Sequence, residues 1–210
     1  MKITSKAVVF LTFALVAGAS FAQASRVQTG NIDQTQDGDR NRQTLDLGNV
    51  KGTGSSDVVV SGNVRQNQDG QANTQTMGIG NVQGGGQSTV RLQDVTQTQG
   101  GTGNRQEMLI GNVQGASGSS DVTASSVTQG QRGQNNNQKM GVGSASGGGN
   151  TTVRAGVLRQ NQEGSRNTQD MQIGNAVGGN ASSNVRVGDV TQGQGGQGNT
   201  QRLNVGNAQQ

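Results

Sequence analysis

The sequence predicts an all-β fold, a β-solenoid or cross-β stack built from six strand–turn–strand repeats of 31–32 residues. One residue pattern recurs along the chain at steps of 32, 31, 32, 31 and 32 residues. Within each unit, Gln and apolar residues occupy alternate positions, which is the period of side chains on a β-strand. Gly and Asn recur at fixed places between these runs, where turns are expected. Composition alone, with 37 glycines, indicates disorder, but a disordered tract would not keep this spacing.

The first 24 residues have the features of a secretory signal peptide. Lys2 and Lys6 make a short basic start, and residues 7–17 are almost wholly apolar. The tetrapeptide Phe21-Ala22-Gln23-Ala24 matches the A-x-A cleavage pattern, so we expect cleavage after Ala24. The apolar run is too short to span a bilayer, and a buried N-terminal helix is the alternative interpretation. The sequence therefore predicts an exported chain without a membrane span.

Cleavage there leaves a short N-terminal segment, residues 25–31, followed by the repeat region, residues 32–210. The six repeats begin at Ile32, Val64, Val95, Val127, Leu158 and Val190. All three Phe residues lie before the cleavage point, so the mature chain has no Phe, Tyr or Trp, and no Cys for a disulfide. Loss of Lys2 and Lys6 lowers the formal net charge from +4 to +2, which is too weak to indicate nucleic-acid binding.

An enzyme is not expected from these residue types. The mature chain has no His, Cys or Tyr, which are common side chains for acid–base and nucleophilic catalysis. The 12 acidic residues are spread over outward positions, and Gly84-Gly85-Gly86 lacks the Lys and Ser or Thr of a phosphate-binding loop. The calcium-binding repeat G-G-x-G-x-D does not recur. We therefore predict no catalytic residues, no metal site and no cofactor.

Four positions of the unit hold an amide side chain in all six copies. The third position holds Gln34, Gln66, Gln97, Gln129, Gln160 and Gln192; the fifth holds Gln36, Gln68, Gln99, Gln131, Gln162 and Gln194; the tenth holds Asn41, Asn73, Asn104, Asn136, Asn167 and Asn199; the twelfth holds Gln43, Gln75, Gln106, Gln138, Gln169 and Gln201. Their spacing places them on the inner face of each strand. A buried amide without partners costs about 1–3 kcal/mol, whereas identical amides stacked in register can bond to each other. These columns are therefore the candidate structural site, predicted to form hydrogen-bonded ladders along the stack.

Glycine separates the two alternating runs of every unit. The seventh position holds Gly38, Gly70, Gly101, Gly133, Gly164 and Gly196. They predict a turn with a backbone angle that other residues disfavour. After this turn, apolar residues fill the fourteenth and sixteenth positions, which we expect inside. Another Gly follows in every copy, and Asn follows that Gly in five of six copies, with Ser144 as the exception, which indicates a second turn.

A third short strand is expected in the second half of each unit. Val59, Val90, Val122, Val153 and Val185 each lie five residues before the next repeat. Asp57, Ser88, Ser120, Thr151 and Ser183 lie two residues before these valines. The one-residue difference in repeat length is expected in the Gly- and Ser-rich loop before this strand, because loops absorb insertions.

The length of the unit allows two arrangements of the chain. An extended unit is roughly 100 Å long, so it forms either one wide rung of several strands or two stacked arches. A faint half-unit echo, Q-x-G…N-x-Q-x-M against V-x-G…S-x-V-x-A, favours two arches.

The thirteenth position supports stacking of successive copies. Its last four members alternate in sign, as Glu107, Lys139, Asp170 and Arg202. Copies stacked in register about 4.8 Å apart would bring opposite charges together at this position. Each exposed pair of this kind is worth roughly 0.2–1 kcal/mol.

The phrase Q-x-G-x-x-N-x-Q, which stands as Gln68-Asp69-Gly70-Gln71-Ala72-Asn73-Thr74-Gln75 and in five further copies, resembles curlin, the subunit of curli fibres on Gram-negative bacteria. The resemblance covers residues 27–208, although curlin units are shorter and lack the extra Val strand. It implies a secreted structural subunit, exported through an outer-membrane export machinery. It also implies end-to-end addition to copies of itself, with a related nucleator subunit as a possible partner. The resulting amyloid fibres would lie on the cell surface or in the biofilm matrix and support adhesion and aggregation.

Other secreted proteins share parts of this pattern. A soluble β-solenoid binding module, either ice-binding or an adhesin, is the alternative to a polymerising subunit. Ice binding needs a flat, regular array of exposed Thr, and one exposed column here is mixed, with Thr35, Asn67, Thr98, Gly130, Asn161 and Gly193. A lectin would lack the aromatic platform that usually stacks on sugars. A disordered secreted linker is the interpretation that composition favours.

Overall fold

The computed structural model describes residues 23–115 and 118–209, and within them the chain is all-β, with parallel strands wound into six coils. The predicted solenoid of six repeats is therefore confirmed. Most of the predicted signal peptide lies outside the described residues. No helix in the described part of the chain is long and apolar enough to cross a membrane.

Each coil contains a long strand, a five-residue strand and a two-residue strand, except that the long strand of the first coil is split. In chain order the strands are β1 (Gln23–Thr29), β2 (Ile32–Thr35), β3 (Gln43–Leu47), β4 (Val50–Lys51), β5 (Gly54–Asn67), β6 (Gln75–Ile79), β7 (Val82–Gln83), β8 (Gly86–Thr98), β9 (Gln106–Ile110), β10 (Val113–Gln114), β11 (Gly118–Gln129), β12 (Gln138–Val142), β13 (Ala145–Ser146), β14 (Gly149–Gln160), β15 (Gln169–Ile173), β16 (Ala176–Val177), β17 (Ser182–Gln192), β18 (Gln201–Val205) and β19 (Ala208–Gln209).

Three parallel sheets form the sides of the solenoid. The long-strand sheet has the order β1-β5-β8-β11-β14-β17, with β2 also paired to β5. The five-residue strands form the sheet β3-β6-β9-β12-β15-β18, and the two-residue strands form β4-β7-β10-β13-β16-β19. Every strand pairs with its equivalent one repeat away, so each repeat makes one wide rung. The half-unit echo that favoured two arches was misleading, because it reflects similar strand patterns on different sides of one coil.

The expected third strand is not a separate element. The Val strand of one repeat runs on into the first strand of the next, so that β8 is continuous from Gly86 to Thr98. Residues 25–31, which the sequence left without an element, lie largely in β1 and pair with β5. The remaining short side of the coil is instead a two-residue strand such as β7, which the sequence pattern did not predict.

The pairing register of β5 shows that the sequence analysis aligned part of the first repeat one residue out of place. The sequence spacing matched Val59 with Val90, but Val58 is the residue that pairs with Val90 and is fully buried. A bulge between Val60 and Asn63 holds one extra residue and shifts the register. For the same reason Ser56, rather than Asp57, pairs with Ser88. The extra residue of this repeat thus lies inside a strand, not in the preceding loop.

Elsewhere the extra residue does lie in a loop. Four residues, 178–181, separate β16 from β17, whereas two residues, 147 and 148, separate β13 from β14. Ala181 is buried within the longer loop, so the insertion is accommodated without disturbing the strands on either side. The expectation that loops absorb length differences therefore holds in this coil and fails in β5.

Apolar ladders fill the interior between the long-strand sheet and the five-residue strands. The fourteenth-position Met77, Met108, Met140 and Met171 are fully buried, as are the Val residues that face them from β5, β8, β11 and β14. A smaller cluster is formed by the inward residues of three two-residue strands, Val50, Val82 and Val113. Burial of this kind stabilises by roughly 25 cal/mol for each Å² of apolar surface removed from water.

Candidate functional site

The third-position Gln column forms a hydrogen-bonded ladder from the second coil to the sixth. In the first coil, the Nε2 of Gln34 donates instead to the backbone carbonyl of Thr44 at 3.4 Å. The amide Nε2 of Gln97 donates to Oε1 of Gln66 at 3.0 Å, and Gln129, Gln160 and Gln192 continue the series at 3.0, 3.0 and 3.1 Å. A second bond from each Nε2 reaches a backbone carbonyl on the facing strand, such as that of Lys139 at 3.1 Å from Gln129. Side chains in the middle of the column are fully buried, so these bonds replace those that water would supply.

The tenth-position Asn column forms a second ladder, which runs through all six coils. Successive Nδ2-to-Oδ1 distances from Asn73 to Asn199 are 3.1, 3.0, 2.8, 3.0 and 3.1 Å. Each Nδ2 also donates to the backbone carbonyl four residues earlier, as Asn104 does to Gly100 at 2.7 Å. The column therefore closes the turn within a coil and joins the coils to each other.

The twelfth-position Gln column bonds across the coil instead of along the stack. In the first coil the Nε2 of Gln43 donates to the side-chain Oε1 of Gln34 at 3.3 Å. In the other five coils this bond goes to a backbone carbonyl at 2.9–3.2 Å, as from Gln106 to Gln97 at 2.9 Å. It ties the five-residue strand to the long strand. The Oε1 atoms of Gln43, Gln75, Gln106, Gln138 and Gln169 have no hydrogen-bond partner among the described residues.

The fifth-position Gln column is buried but makes no ladder. Gln68, Gln99, Gln131 and Gln162 are 5, 1, 5 and 6% exposed, and neither amide atom of any of them has a partner among the described residues. Gln36 and Gln194, in the first and last coils, are only half-buried. A uniform ladder along all four amide columns was therefore the wrong expectation for the fifth and twelfth positions. Strand pairing ends at the third or fourth position, so the fifth-position Gln lie just beyond it, whereas the twelfth-position Gln pair in register but donate across the coil. Identity along a column is therefore not enough to form a ladder.

The seventh-position glycines differ from the expected turn geometry. None of the six has a positive φ, and a Cβ at Gly70 or Gly101 would meet nothing within 4 Å. The left-handed angle belongs to the next residue, with φ of 101° at Gln71 and 103° at Thr102. These following residues pair in parallel from coil to coil, as Gln71 does with Thr102. The pairing holds a backbone conformation that non-glycine residues rarely adopt.

The glycine that the fold requires is the one at the end of each five-residue strand. Gly80, Gly111 and Gly143 have φ of 62°, 62° and 61°, and a Cβ at Gly111 would collide with Cγ2 of Val122. The Gly80 carbonyl accepts a hydrogen bond from the Ser88 hydroxyl at 2.5 Å. This second glycine column could be found in the sequence because it is present in every copy. Its steric role follows only from the position of the facing Val in the folded chain.

The Asn that follows this glycine makes an outer ladder. The backbone N–H of Asn112 donates to Oδ1 of Asn81 at 2.9 Å, and the N–H of Ser144 donates to Oδ1 of Asn112 at 2.9 Å. Ser144 has no side-chain Oδ1 to accept a bond from the next coil, and its hydroxyl is buried without a partner among the described residues. The repeat exception at Ser144 therefore interrupts this outer ladder in the fourth coil.

The alternating charges of the thirteenth position lie in register. Lys139 pairs with Glu107 on one side and Asp170 on the other, and Asp170 pairs with Arg202. One of these contacts is an ion pair, from Lys139 Nζ to Glu107 Oε1 at 3.5 Å. Further ion pairs join adjacent strands on the outside of the long-strand sheet, such as Arg154 to Asp121 at 3.6 Å.

The sixth coil presents an open end. Within the described residues, β17, β18 and β19 pair on one side only. Leu203 and Val205 are 45 and 40% exposed, whereas Met171 and Ile173, their equivalents one coil earlier, are fully buried. In the first coil, Leu45 and Leu47 are 6 and 1% exposed. The sixth coil therefore combines unpaired strand edges with an exposed apolar ladder, which is the arrangement that templates further pairing.

No protein-family model, no curated protein and no solved structure matches the chain. Function therefore has to be inferred from the geometry of the coils, the amide columns and the open end.

Proposed function

We propose that the protein is a secreted structural subunit that assembles head-to-tail into curli-like cross-β fibres. The observation that carries this proposal is the open end of the sixth coil, where Leu203 and Val205 are exposed beside unpaired strand edges. A stack of parallel strands that is not closed on itself extends by adding another copy in the same direction. Such growth would bury the exposed apolar ladder and pair the free backbone groups of β17, β18 and β19.

The side chains of the first coil match those of the open end of the sixth coil. Continuing the observed register by one coil places Asn41 on Asn199, Gln34 on Gln192, and Leu45 on Leu203. The amide columns would thus continue with the same residue type, and the apolar columns with residues of similar volume. Self-complementarity of this kind favours a second copy of the chain as the occupant of the open end.

Charges also favour a second copy. In the continued register Arg202 meets Thr44, Asn204 meets Asp46, and Thr191 meets Asp33. No charged residue of the sixth coil meets a charged residue of the first in this alignment. Like charges directly opposite each other would destabilise the junction, so their absence removes a barrier to stacking.

The cellular setting rests on the predicted signal peptide and the resemblance to curlin. We propose export through an outer-membrane machinery and a place on the surface, or in the biofilm matrix, of a Gram-negative bacterium. A related nucleator subunit is a possible partner in starting the fibre. In this setting the fibre supports adhesion and aggregation, and the subunit needs no catalytic residue or cofactor.

Incubation of the purified chain beginning at Ser25, at micromolar concentration, tests the proposal. We expect unbranched fibres in electron micrographs and a meridional reflection at about 4.7–4.8 Å in fibre diffraction. A chain that remains monomeric for weeks under mild conditions would contradict polymerisation. Thermal hysteresis by such a monomer would instead support the ice-binding alternative.

A further inference from the structure

We propose that a file of ordered water molecules runs along the solenoid interior between the fifth and twelfth amide columns. Both amide atoms of Gln68, Gln99, Gln131 and Gln162 are buried without a partner among the described residues. The same holds for Oε1 of the neighbouring twelfth-position Gln75, Gln106, Gln138 and Gln169. Buried polar groups in folded proteins are almost always hydrogen-bonded, to protein or to ordered water.

The two columns border one interval of the interior. Gln66 lies on the inner face of β5 near its end, and the buried Gln68 follows directly after the last residue of that strand. Gln75, from the facing strand, donates to the backbone of Gln66, and Asn73 donates to the carbonyl of Asp69. Both bonds lie within one coil. Gln68 therefore lies between the two acceptor residues, Gln66 and Asp69. The side chains of Gln68 and Gln75 are therefore neighbours in this stretch of the interior, and both have amide atoms without a partner among the described residues.

The same amide atoms lack a partner in each of the four inner coils, which indicates that a small molecule bridges them. Within the four inner coils, the third- and tenth-position amides bond directly from coil to coil, at 2.8–3.0 Å. The fifth-position amides, which lie just beyond the ends of the long strands, make no such bond in any of the four inner coils. Polar groups that face each other beyond hydrogen-bonding distance are commonly joined by a water.

Water has the donors and acceptors that the interval needs. A buried water typically makes about three hydrogen bonds. One water per coil can donate to the Oε1 of the twelfth-position Gln and of the fifth-position Gln, and can accept from the fifth-position Nε2. Repetition of this unit gives a file with one water per coil, about 4.8 Å apart, in which each water bonds to Gln amides and not to the next water. The half-buried Gln36 and Gln194 mark the two ends of the file, in the first and last coils.

Magnetisation transfer from water to ¹⁵N-labelled Gln side chains tests this proposal on the chain beginning at Ser25. The measurement works on the monomer in solution and on fibres in the solid state, so it is independent of polymerisation. We expect transfer to the Nε2 of Gln99 and none to that of Gln97, its ladder-bonded neighbour on β8. The signals are assigned by their loss in Gln99→Met and Gln97→Met. Exposed Gln93, on the same strand, is the positive control for contact with water.

Absence of transfer to Gln99 would overturn the proposal, because it would mean that the fifth-position amides pair directly. A stability comparison gives an independent readout. If water satisfies the fifth column, Gln99→Leu releases its waters and lowers the melting temperature much less than Gln97→Leu, which breaks a direct ladder. Equal decreases in melting temperature for the two variants would contradict the water file.

Discussion

Two glycine columns repeat with equal fidelity, yet they have opposite roles at the level of single residues. Gly101 lies in a turn with open space around it, and the left-handed angle is at Thr102. Gly111 itself has the left-handed angle and faces Val122 at close range. Repetition in the sequence therefore marks both columns, whereas only the packing shows which glycine is sterically required.

Substitution of each glycine by Ala tests this distinction. We expect Gly111→Ala to lower the free energy of unfolding by about 2–5 kcal/mol, because a left-handed angle and a collision with Val122 add together. Gly101→Ala is the matched control, in the same repeat, and is expected to change stability by less than ~1 kcal/mol. Urea unfolding followed by circular dichroism measures both variants. Equal losses would show that the seventh-position glycine also carries strain.

Individual strands show how the fold tolerates irregular repeats. In β8 the inward Val95 follows Val90 by five positions, but in β5 Val64 follows Val58 by six positions. The six-position step keeps Val58 and Val64 on one face by simple alternation, whereas in β8 two successive outward residues, Gln93 and Asp94, precede the inward Val95. The bulge takes up the difference of one residue between the two strands, so both keep their valines inside. A strand can therefore accept an insertion only where such a bulge forms.

Two single-residue deletions test the role of the bulge. Deletion of Ser61 restores the spacing of the other coils, and we expect the free energy of unfolding to change by less than ~1 kcal/mol. Deletion of Leu109 from β9 moves Ile110 from the inner to the outer face, and we expect loss of cooperative unfolding. Circular dichroism melting curves of the two proteins make the comparison. A severe loss on deletion of Ser61 would indicate that the bulge has a structural role of its own.

The charged column is an element-scale feature whose contribution depends on salt. Lys139→Glu would place a third acidic side chain between Glu107 and Asp170 on adjacent strands. We expect the free energy of unfolding to fall by about 1–2 kcal/mol at low salt. The loss should shrink in about 1 M NaCl, where the screening length is near 3 Å. Melting temperatures at both salt concentrations provide the measurement, with Lys139→Gln as the control for loss of the cation. Identical behaviour of the two variants would rule out charge repulsion.

At the scale of the whole molecule, the two ends of the stack differ from its middle. The inner coils satisfy their strand edges and apolar ladders with neighbours on both sides, whereas the sixth coil is paired on one side only. Proposed growth of the fibre therefore depends on a few side chains of that coil, although all six coils have nearly the same sequence.

Substitutions at two equally exposed residues test this dependence. Leu203 and Val177 are both 45% exposed, but Leu203 belongs to the open apolar ladder and Val177 to the outer surface. We expect Leu203→Lys to slow fibre elongation by about tenfold or more, because the junction loses a buried Leu and gains a charge. Val177→Lys should elongate at the normal rate. Thioflavin fluorescence in seeded reactions measures both rates, and equal slowing would argue against growth at the sixth coil.

Much of the architecture follows from periodicities that are local in the chain. The 31–32-residue step predicted six coils, and the alternation of Gln66, Gln68, Gln75 and Met77 predicted which residues are buried. Both inferences succeed because side-chain direction in a strand depends only on position along that strand. Identical residues at equivalent positions then place equivalent strands in register.

Closure of the coil and the choice of hydrogen-bond partners were decided only by the tertiary structure. The two-residue strands, the bulge in β5 and the one-rung coil depend on how distant segments meet, and no local pattern encodes that meeting. The amide columns show the same limit, because Gln97 and Gln99 are equal in sequence terms. Gln97 lies within β8 and bonds along the stack, whereas Gln99 follows the end of that strand and makes no such bond.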